Sequence, residues 1–180
     1  MSTPGVPDPA KLVVGVFTGR KSLLDPVVRD LREQFGLPDL ISRWLDFDFT
    51  SYYNAEFGSP LFRRMVSFQR LINQADLAGI KRATNEIELK YSQEGGRRIN
   101  IDPGYMLRER FVLATGKNFA HRIYIGQGIY ADLTLLYCNK SFQSLPWTYP
   151  DYADGALQSF LRQVRNRYVI DLKNQPPKSE

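Results

Sequence analysis

The segment from Arg98 to Tyr105 carries polar side chains at a regular spacing that could do chemistry. On a strand, alternate side chains point to opposite faces, so its two isoleucines would face a core. The same alternation places Arg98, Asn100 and Asp102 together on the other face. Asp102 is therefore a candidate catalytic residue, as a general base or a ligand for a hard metal ion, and Asn100 is a candidate ligand-binding residue. Pro103-Gly104 predicts a tight turn of type II directly after the strand.

A predicted helix over residues 74–91 offers a second polar group. Lys81, Asn85 and Glu88 share a strip beside its apolar stripe, because residues three and four apart lie on one side of a helix. Glu88 is a second candidate general base, and the lysine and the amide are candidate ligand-binding residues. The alternative is that these groups cap turns and satisfy one another.

His121 is the third candidate for acid–base catalysis, because histidine titrates near neutral pH. The strands on either side of a three-residue loop, Gly126-Gln127-Gly128, predict a hairpin in which Arg122 pairs with Asp132. His121 would then lie opposite Leu133 on the apolar face, so a structural, hydrogen-bonded histidine is favoured. Arg122 would lie on the polar face, where it could bind an anion.

Two strings resemble known motifs without their geometry. Gly15–Ser22 approaches a phosphate-binding loop, but its glycines are one residue too close and Gly15 falls inside a predicted strand. What remains is a basic loop at a helix N-terminus, which can hold an anion. Glu86–Lys90 matches the Glu-x-Glu-x-Lys string of triphosphate-tunnel enzymes, which requires a strand, whereas here the periodicity is helical.

The elements that must position these residues follow from hydrophobic periodicity. The predicted strands are 12–17, 41–49, 63–71, 98–102, 111–115, 122–125 and 129–137; the predicted helices are 22–36, 74–91 and an amphipathic one near the end. A start signal at Ser22 and Asp25 resembles a capping box, and Gly36 would end that helix. This order predicts an α+β fold: a mostly antiparallel sheet with a ferredoxin-like βαββαβ core, a C-terminal β-hairpin extension and a final helix. Residues 11–173 would form a single domain between flexible tails at 1–10 and 174–180.

Composition limits the class of protein. The chain has 180 residues, 43% of them hydrophobic, and a net charge of +5, which suits a packed domain rather than a disordered chain. The N-terminus lacks the features of a signal peptide and no apolar run reaches membrane length, so we expect a cytoplasmic protein without a membrane partner. Cys138 is the only cysteine, which leaves no disulfide and no thiolate zinc site within one chain; its apolar surroundings predict burial. The sequence indicates no metal site and reveals no cofactor.

Several strings in combination resemble a family of small bacterial proteins catalogued as a domain of unknown function. They are Lys81…Thr84-Asn85…Glu88, RINIDPGY, LATGKN, HRIYIGQGIYADLTL and PWTYPDYAD. The resemblance covers nearly the whole chain and implies no reaction. Some members carry an automatic GTP-binding label, which the defective phosphate loop does not support.

Three functions stay open, and the sequence does not decide whether the protein is an enzyme. The first is binding of, and action on, a small anionic or phosphorylated ligand, held by Arg122 and Lys117. Asn100, Asp102 and Arg122 would then line one concave site with members of the helix strip. The second is a protein-binding or scaffold module that uses the aromatic segment Trp147–Tyr152. The third, RNA binding, is suggested by the basic pI but lacks a recognisable motif, so a nucleic-acid partner is the least favoured.

Overall fold

The computed structural model describes residues 1–49, 53–93 and 96–175. Its strands are β1 (Ala10–Thr18), β2 (Pro38–Ile41), β3 (Leu45–Asp46), β4 (Phe62–Ile72), β5 (Asn100–Met106), β6 (Arg110–Thr115), β7 (Arg122–Gly126), β8 (Ile129–Cys138) and β9 (Ser141–Ser144). Its helices are α1 (Leu24–Phe35), α2 (Asn54–Phe57), α3 (Leu77–Lys90), α4 (Pro150–Ala153) and α5 (Gly155–Lys173). Of the predicted C-terminal tail, residues 176–180 lie outside the described part.

The strands form one sheet in the order β2-β4-β1-β5-β6-β8-β7, with β3 beside β4 and β9 beside β8. Neighbouring strands pair in antiparallel fashion wherever the structure describes them. β1 lies inside the sheet, between β4 and β5, because its apolar run is buried on both faces. The chain is therefore of the α+β class with a mostly antiparallel sheet, as the sequence predicts.

Helices cover both faces of this sheet. On one face, Leu24, Val27 and Leu31 of α1 pack with Ile80 and Ile87 of α3 against the aliphatic side chains of β1. On the other face, α5 contributes the stripe that the sequence predicts, which comprises Leu157, Phe160, Leu161, Val164 and Tyr168. No helix in the described part of the chain is long and apolar enough to cross a membrane.

The first helix ends as predicted but begins differently. Gly36 adopts a φ of +90° directly after α1, a backbone conformation that glycine reaches without strain. The predicted capping box of Ser22 and Asp25 is wrong, because a 3-10 turn over Lys21–Leu23 leads into the helix and no side chain caps it. The N–H of Leu23 bonds instead to the carbonyl of Arg20 at 3.0 Å.

The strand predicted over 41–49 is also wrong, since β2 ends at Ile41 and β3 occupies only Leu45–Asp46. Ser42 explains the interruption. Its hydroxyl accepts a hydrogen bond of 3.0 Å from the N–H of Met65 in β4, so a side chain takes the place of a backbone partner.

Pro103-Gly104 does not form the predicted turn; both residues lie within β5. A Cβ atom on Gly104 would stand 2.4 Å from the carbonyl oxygen of Val112, so glycine is needed here for the close approach of β6. The burial predicted for Cys138 is wrong as well. It is exposed because it is the last residue of β8, where the apolar run leaves the core.

Candidate functional site

A cavity of about 790 Å³ opens where β5 and β6 separate. The two strands pair only over Gly104–Met106 and Phe111–Leu113. β5 continues back to Asn100 beside β1, and β6 continues to Thr115 beside β8, so the sheet contains a gap between them. Backbone groups that face such a gap require other partners, because buried N–H and C=O groups are costly to leave unpaired.

Two side chains of α3 supply those partners. Lys81 donates a hydrogen bond of 2.7 Å to the carbonyl of Ile101, and Glu88 accepts one of 2.6 Å from the N–H of the same residue. Pro103 lies two residues after Ile101 on the same strand, so its backbone nitrogen also faces the gap. Proline has no N–H, so no donor is left without a partner at this position. Burial raises the pKa of Glu88, which outweighs the attraction of Lys81 at 3.9 Å.

Asp102 of β5 lines the same cavity. Its side chain is 29% exposed, more than the carboxylates of Glu88, Asp132 and Asp151, which also line the cavity. It accepts no hydrogen bond from the residues that the structure describes. Lys81 and Arg63 each approach one of its oxygens at 3.8 Å, too far for a hydrogen bond.

Arg63 of β4 is a buried cation, 4% exposed, that lines the same cavity. It forms an ion pair with Asp151 at the start of α4, and its guanidinium lies over the rings of Phe47 and Tyr152 at 4.6 and 5.2 Å. Burial lowers the pKa of Arg63, but the charges of Asp151 and Asp102 outweigh it, so the net pKa is raised. The Nε of Arg63 has no hydrogen-bond partner among the described residues.

Arg97 closes the side of the cavity next to β5. It donates to both carboxylate oxygens of Glu56 at 2.7 and 2.8 Å, and its third nitrogen donates to Asn100 at 2.9 Å. That nitrogen also lies 3.4 Å from Glu88. The hydrogen bonds to Glu56 raise the pKa of Arg97, so it stays a cation throughout the ordinary pH range.

The opposite wall is organised around Asp132 of β8. This buried carboxylate accepts a hydrogen bond from Arg122 at 2.9 Å and lies 3.2 Å from the Nε2 of His121. Arg122 also donates to the carbonyl of Lys117 at 2.9 Å and to the hydroxyl of Tyr149 at 2.6 Å. Arg122 therefore joins the loop after β6 to the segment before α4.

Five aromatic residues also line the cavity: Phe47, Phe49, Tyr53, Tyr149 and Tyr152. Burial and the nearby charge of Asp102 raise the pKa of Tyr53 to about 12. Burial also raises the pKa of Tyr149, although Arg122 opposes the shift. These hydroxyls therefore remain protonated at neutral pH and can donate hydrogen bonds.

Most of the predicted site residues meet at this cavity. Its lining includes Lys81, Asn85, Glu88, Asn100, Asp102 and Lys117. Arg122 and His121 are not among the lining residues, but both contact Asp132, which is. The prediction that Arg122 and His121 lie on opposite faces of the hairpin is therefore wrong. His121 precedes β7, so strand alternation does not govern it, and it stacks on Trp147 at 4.9 Å. Arg98 also lies elsewhere and bonds to Gln93, because β5 begins two residues later than predicted.

The sequence did not indicate that four other charged residues line the cavity: Arg63, Arg97, Asp132 and Asp151. Arg63 had a signal, since it is the first residue of the strand predicted over 63–71. No sequence pattern indicated Arg97, because this residue lies before β5 and its side chain is placed at the cavity by its hydrogen bonds. No group of three or more histidine, cysteine, aspartate or glutamate side chains in the described residues is arranged to hold a metal ion.

A family model described as "Domain of unknown function (DUF4416)" matches residues 8–168. The chain belongs to this family. The match spans nearly the whole chain, so every lining residue of the cavity lies within the DUF4416 region. No curated protein and no solved structure matches the chain.

Proposed function

We propose that the cavity binds, and acts on, a small anionic ligand such as a monophosphate. The observation that carries the proposal is the unused donor capacity of Lys81, one of four cations that line the cavity. Lys81 has three N–H groups and, among the described residues, one hydrogen bond, to the carbonyl of Ile101. Buried donors of this kind are costly unless a ligand or water meets them.

The charge balance of the lining favours a ligand with one anionic group over a polyphosphate. Its cations are Arg63, Lys81, Arg97 and Lys117, and its carboxylates are Glu88, Asp102, Asp132 and Asp151. A triphosphate would bring several negative charges next to four carboxylates, which costs energy in a partly desolvated site. A single anionic group can meet the cations while the rest of the ligand meets Asp102, the candidate general base.

The alternatives have less support. Trp147 of the aromatic segment donates to the carbonyl of Leu133 at 2.8 Å, Tyr149 is bonded to Arg122, and Tyr152 is buried. These contacts tie the polar groups of the segment to the rest of the protein, although Trp147 and Tyr149 keep part of their surface exposed. RNA-binding sheets display aromatic side chains on an open face, whereas α1, α3 and α5 cover both faces here.

We also infer that β1, α1, β2, β4, α3 and β5 form a ferredoxin-like core. The strand order β2-β4-β1-β5 supports this inference, because it is the order in which the four strands of a βαββαβ unit lie. The packing of α1 and α3 on one face of the sheet supports it too.

Titration calorimetry with inorganic phosphate, glycerol 3-phosphate and inorganic tripolyphosphate tests the proposed function. We expect saturable binding of a monophosphate probe, weakened in Arg97→Gln and unchanged in Arg162→Gln, which alters an exposed arginine of α5 away from the cavity. Absence of saturable binding by every probe would overturn the proposal. Equal losses in the two variants would also overturn it, because they would indicate a general charge effect.

A further inference from the structure

The surroundings of Asp102 specify more than an anion. Each of its oxygens faces one cation across 3.8 Å, Lys81 on one side and Arg63 on the other. A direct charged hydrogen bond would be about 2.8 Å long. A separation of 3.8 Å lets one oxygen atom lie beside the pair, at hydrogen-bonding distance from both groups.

The chemistry of that oxygen is restricted, because it must donate to the carboxylate and accept from the cation. A deprotonated phosphate or carboxylate oxygen can only accept and would be repelled by Asp102. An ammonium group can only donate and would be repelled by Lys81 and Arg63. A hydroxyl group does both. The alternation of cation, carboxylate and cation therefore selects two hydroxyl groups, one on each side of Asp102.

The two oxygens of one carboxylate lie close together, so the hydroxyls that meet them belong on neighbouring carbon atoms. We propose that the ligand is a vicinal diol, a sugar or polyol that also carries the anionic group, and that Asp102 binds both hydroxyls. This assignment rests on the proposed function for its anionic part. Each hydroxyl donates to one oxygen of Asp102 and accepts from Lys81 or Arg63.

The rest of the cavity suits such a ligand. The C–H groups of a sugar or polyol are apolar, and the rings of Tyr53 and Tyr149 provide apolar area with a hydroxyl at its edge. Lys81 and Arg63 are held by Ile101 and Asp151, so their donors are oriented before the ligand binds.

The test compares ligands that differ by one hydroxyl. Ribose 5-phosphate is paired with 2-deoxyribose 5-phosphate, and glycerol 3-phosphate with 3-hydroxypropyl phosphate, which lacks neighbouring hydroxyls. We expect the diol member of at least one pair to bind on the order of 10- to 100-fold more tightly, as is usual for a hydrogen bond to a charged group. In Asp102→Asn the preference should disappear while the phosphate group still binds, because the amide brings a donor toward Lys81 or Arg63.

Each outcome decides a different point. Equal affinities within both pairs for the wild-type protein would overturn the diol and leave the proposed function standing. A preference that persists in Asp102→Asn would overturn the assignment to Asp102. If no phosphorylated probe binds, the proposed function fails and this inference fails with it. The comparison within each pair uses the wild-type protein, so it holds even if the variant does not fold.

Discussion

The carboxylate of Glu88 in α3 accepts a hydrogen bond of 2.6 Å from the backbone N–H of Ile101 in β5. This is a bond that a neighbouring strand would normally supply. Lys81, two turns earlier in the same helix, meets the carbonyl of Ile101. One helix therefore takes the place of β6 at Ile101, so both backbone groups of this residue are paired although the sheet is open at the cavity.

Removing the carboxylate of Glu88 should destabilise the protein. Glu88→Ala leaves the N–H of Ile101 without a partner, which costs about 1–3 kcal/mol of the free energy of unfolding. Glu88→Gln keeps an acceptor oxygen and should lose less. Urea unfolding measures both, with Glu86→Ala on the exposed side of α3 as the control, expected to change stability by less than about 0.5 kcal/mol. An equally small loss for Glu88→Ala would show that the bond to Ile101 contributes nothing.

The stability contributed by Glu88 should depend on pH. Burial raises its pKa in the folded protein above the ordinary value of 4.5. The folded chain therefore binds this proton more tightly than the unfolded chain, and stability falls as the pH rises from the ordinary value through the raised one. Glu88→Gln cannot ionise. We expect the free energy of unfolding of the wild type, minus that of Glu88→Gln, to decrease as the pH rises from 4.5 through the raised pKa of Glu88. An increase over that interval would mean that the folded state favours the ionised carboxylate.

Hydrophobic runs, glycine positions and strand alternation in the sequence predicted the parts of the fold that depend on neighbouring residues alone. The apolar run of β1 gives a buried strand wherever it is placed, and Gly36 ends α1 by its own backbone freedom. The pairing of Arg122 with Asp132 follows from alternation on two strands joined by a short loop. The loop itself is one residue shorter than predicted, because Gly126 pairs with Ile129 across a bulge that absorbs the shift.

Non-local packing decided the rest. Pro103-Gly104 carries the signature of a turn, but the approach of β6 to Gly104 is visible only once the strands are assembled. The charged groups around Asp102 come from β4, α3 and α4, which are distant in sequence. A sequence pattern indicates that Asp102 faces away from the core; it does not indicate which cations it meets.

Gly104 provides a test of the close approach between β5 and β6. In Gly104→Ala, the new Cβ would stand 2.4 Å from the carbonyl oxygen of Val112, so either the strands move apart or the fold is strained. We expect a loss of about 1–3 kcal/mol in the free energy of unfolding, typical of overpacking. Gly79→Ala in α3 meets nothing within 4 Å and should stabilise by up to about 1 kcal/mol. Equal effects of the two substitutions would contradict the packing at Gly104.

Leu31 tests the contact between α1 and the sheet. It is fully buried, and Leu31→Ala should cost about 2–5 kcal/mol of the free energy of unfolding because it leaves a cavity. Leu89 is 70% exposed on α3, and Leu89→Ala should change stability by less than about 0.5 kcal/mol. Chemical denaturation of the two variants side by side provides the measurement. A small loss for Leu31→Ala would mean that α1 presents a different face to the core.

Arg122 and Asp132 provide the last prediction, which concerns a buried charge. Arg122→Met leaves the carboxylate of Asp132 without its guanidinium partner, and breaking a buried pair in this way costs about 3–5 kcal/mol. Replacing Asp132 with asparagine in the same chain removes the stranded charge. We therefore expect Arg122→Met/Asp132→Asn to be more stable than Arg122→Met alone. Urea unfolding of the wild type, both single variants and the double variant gives the coupling energy directly. Additive losses would show that the wall of the cavity depends on the other bonds of Arg122, to Lys117 and Tyr149, rather than on its pairing with Asp132.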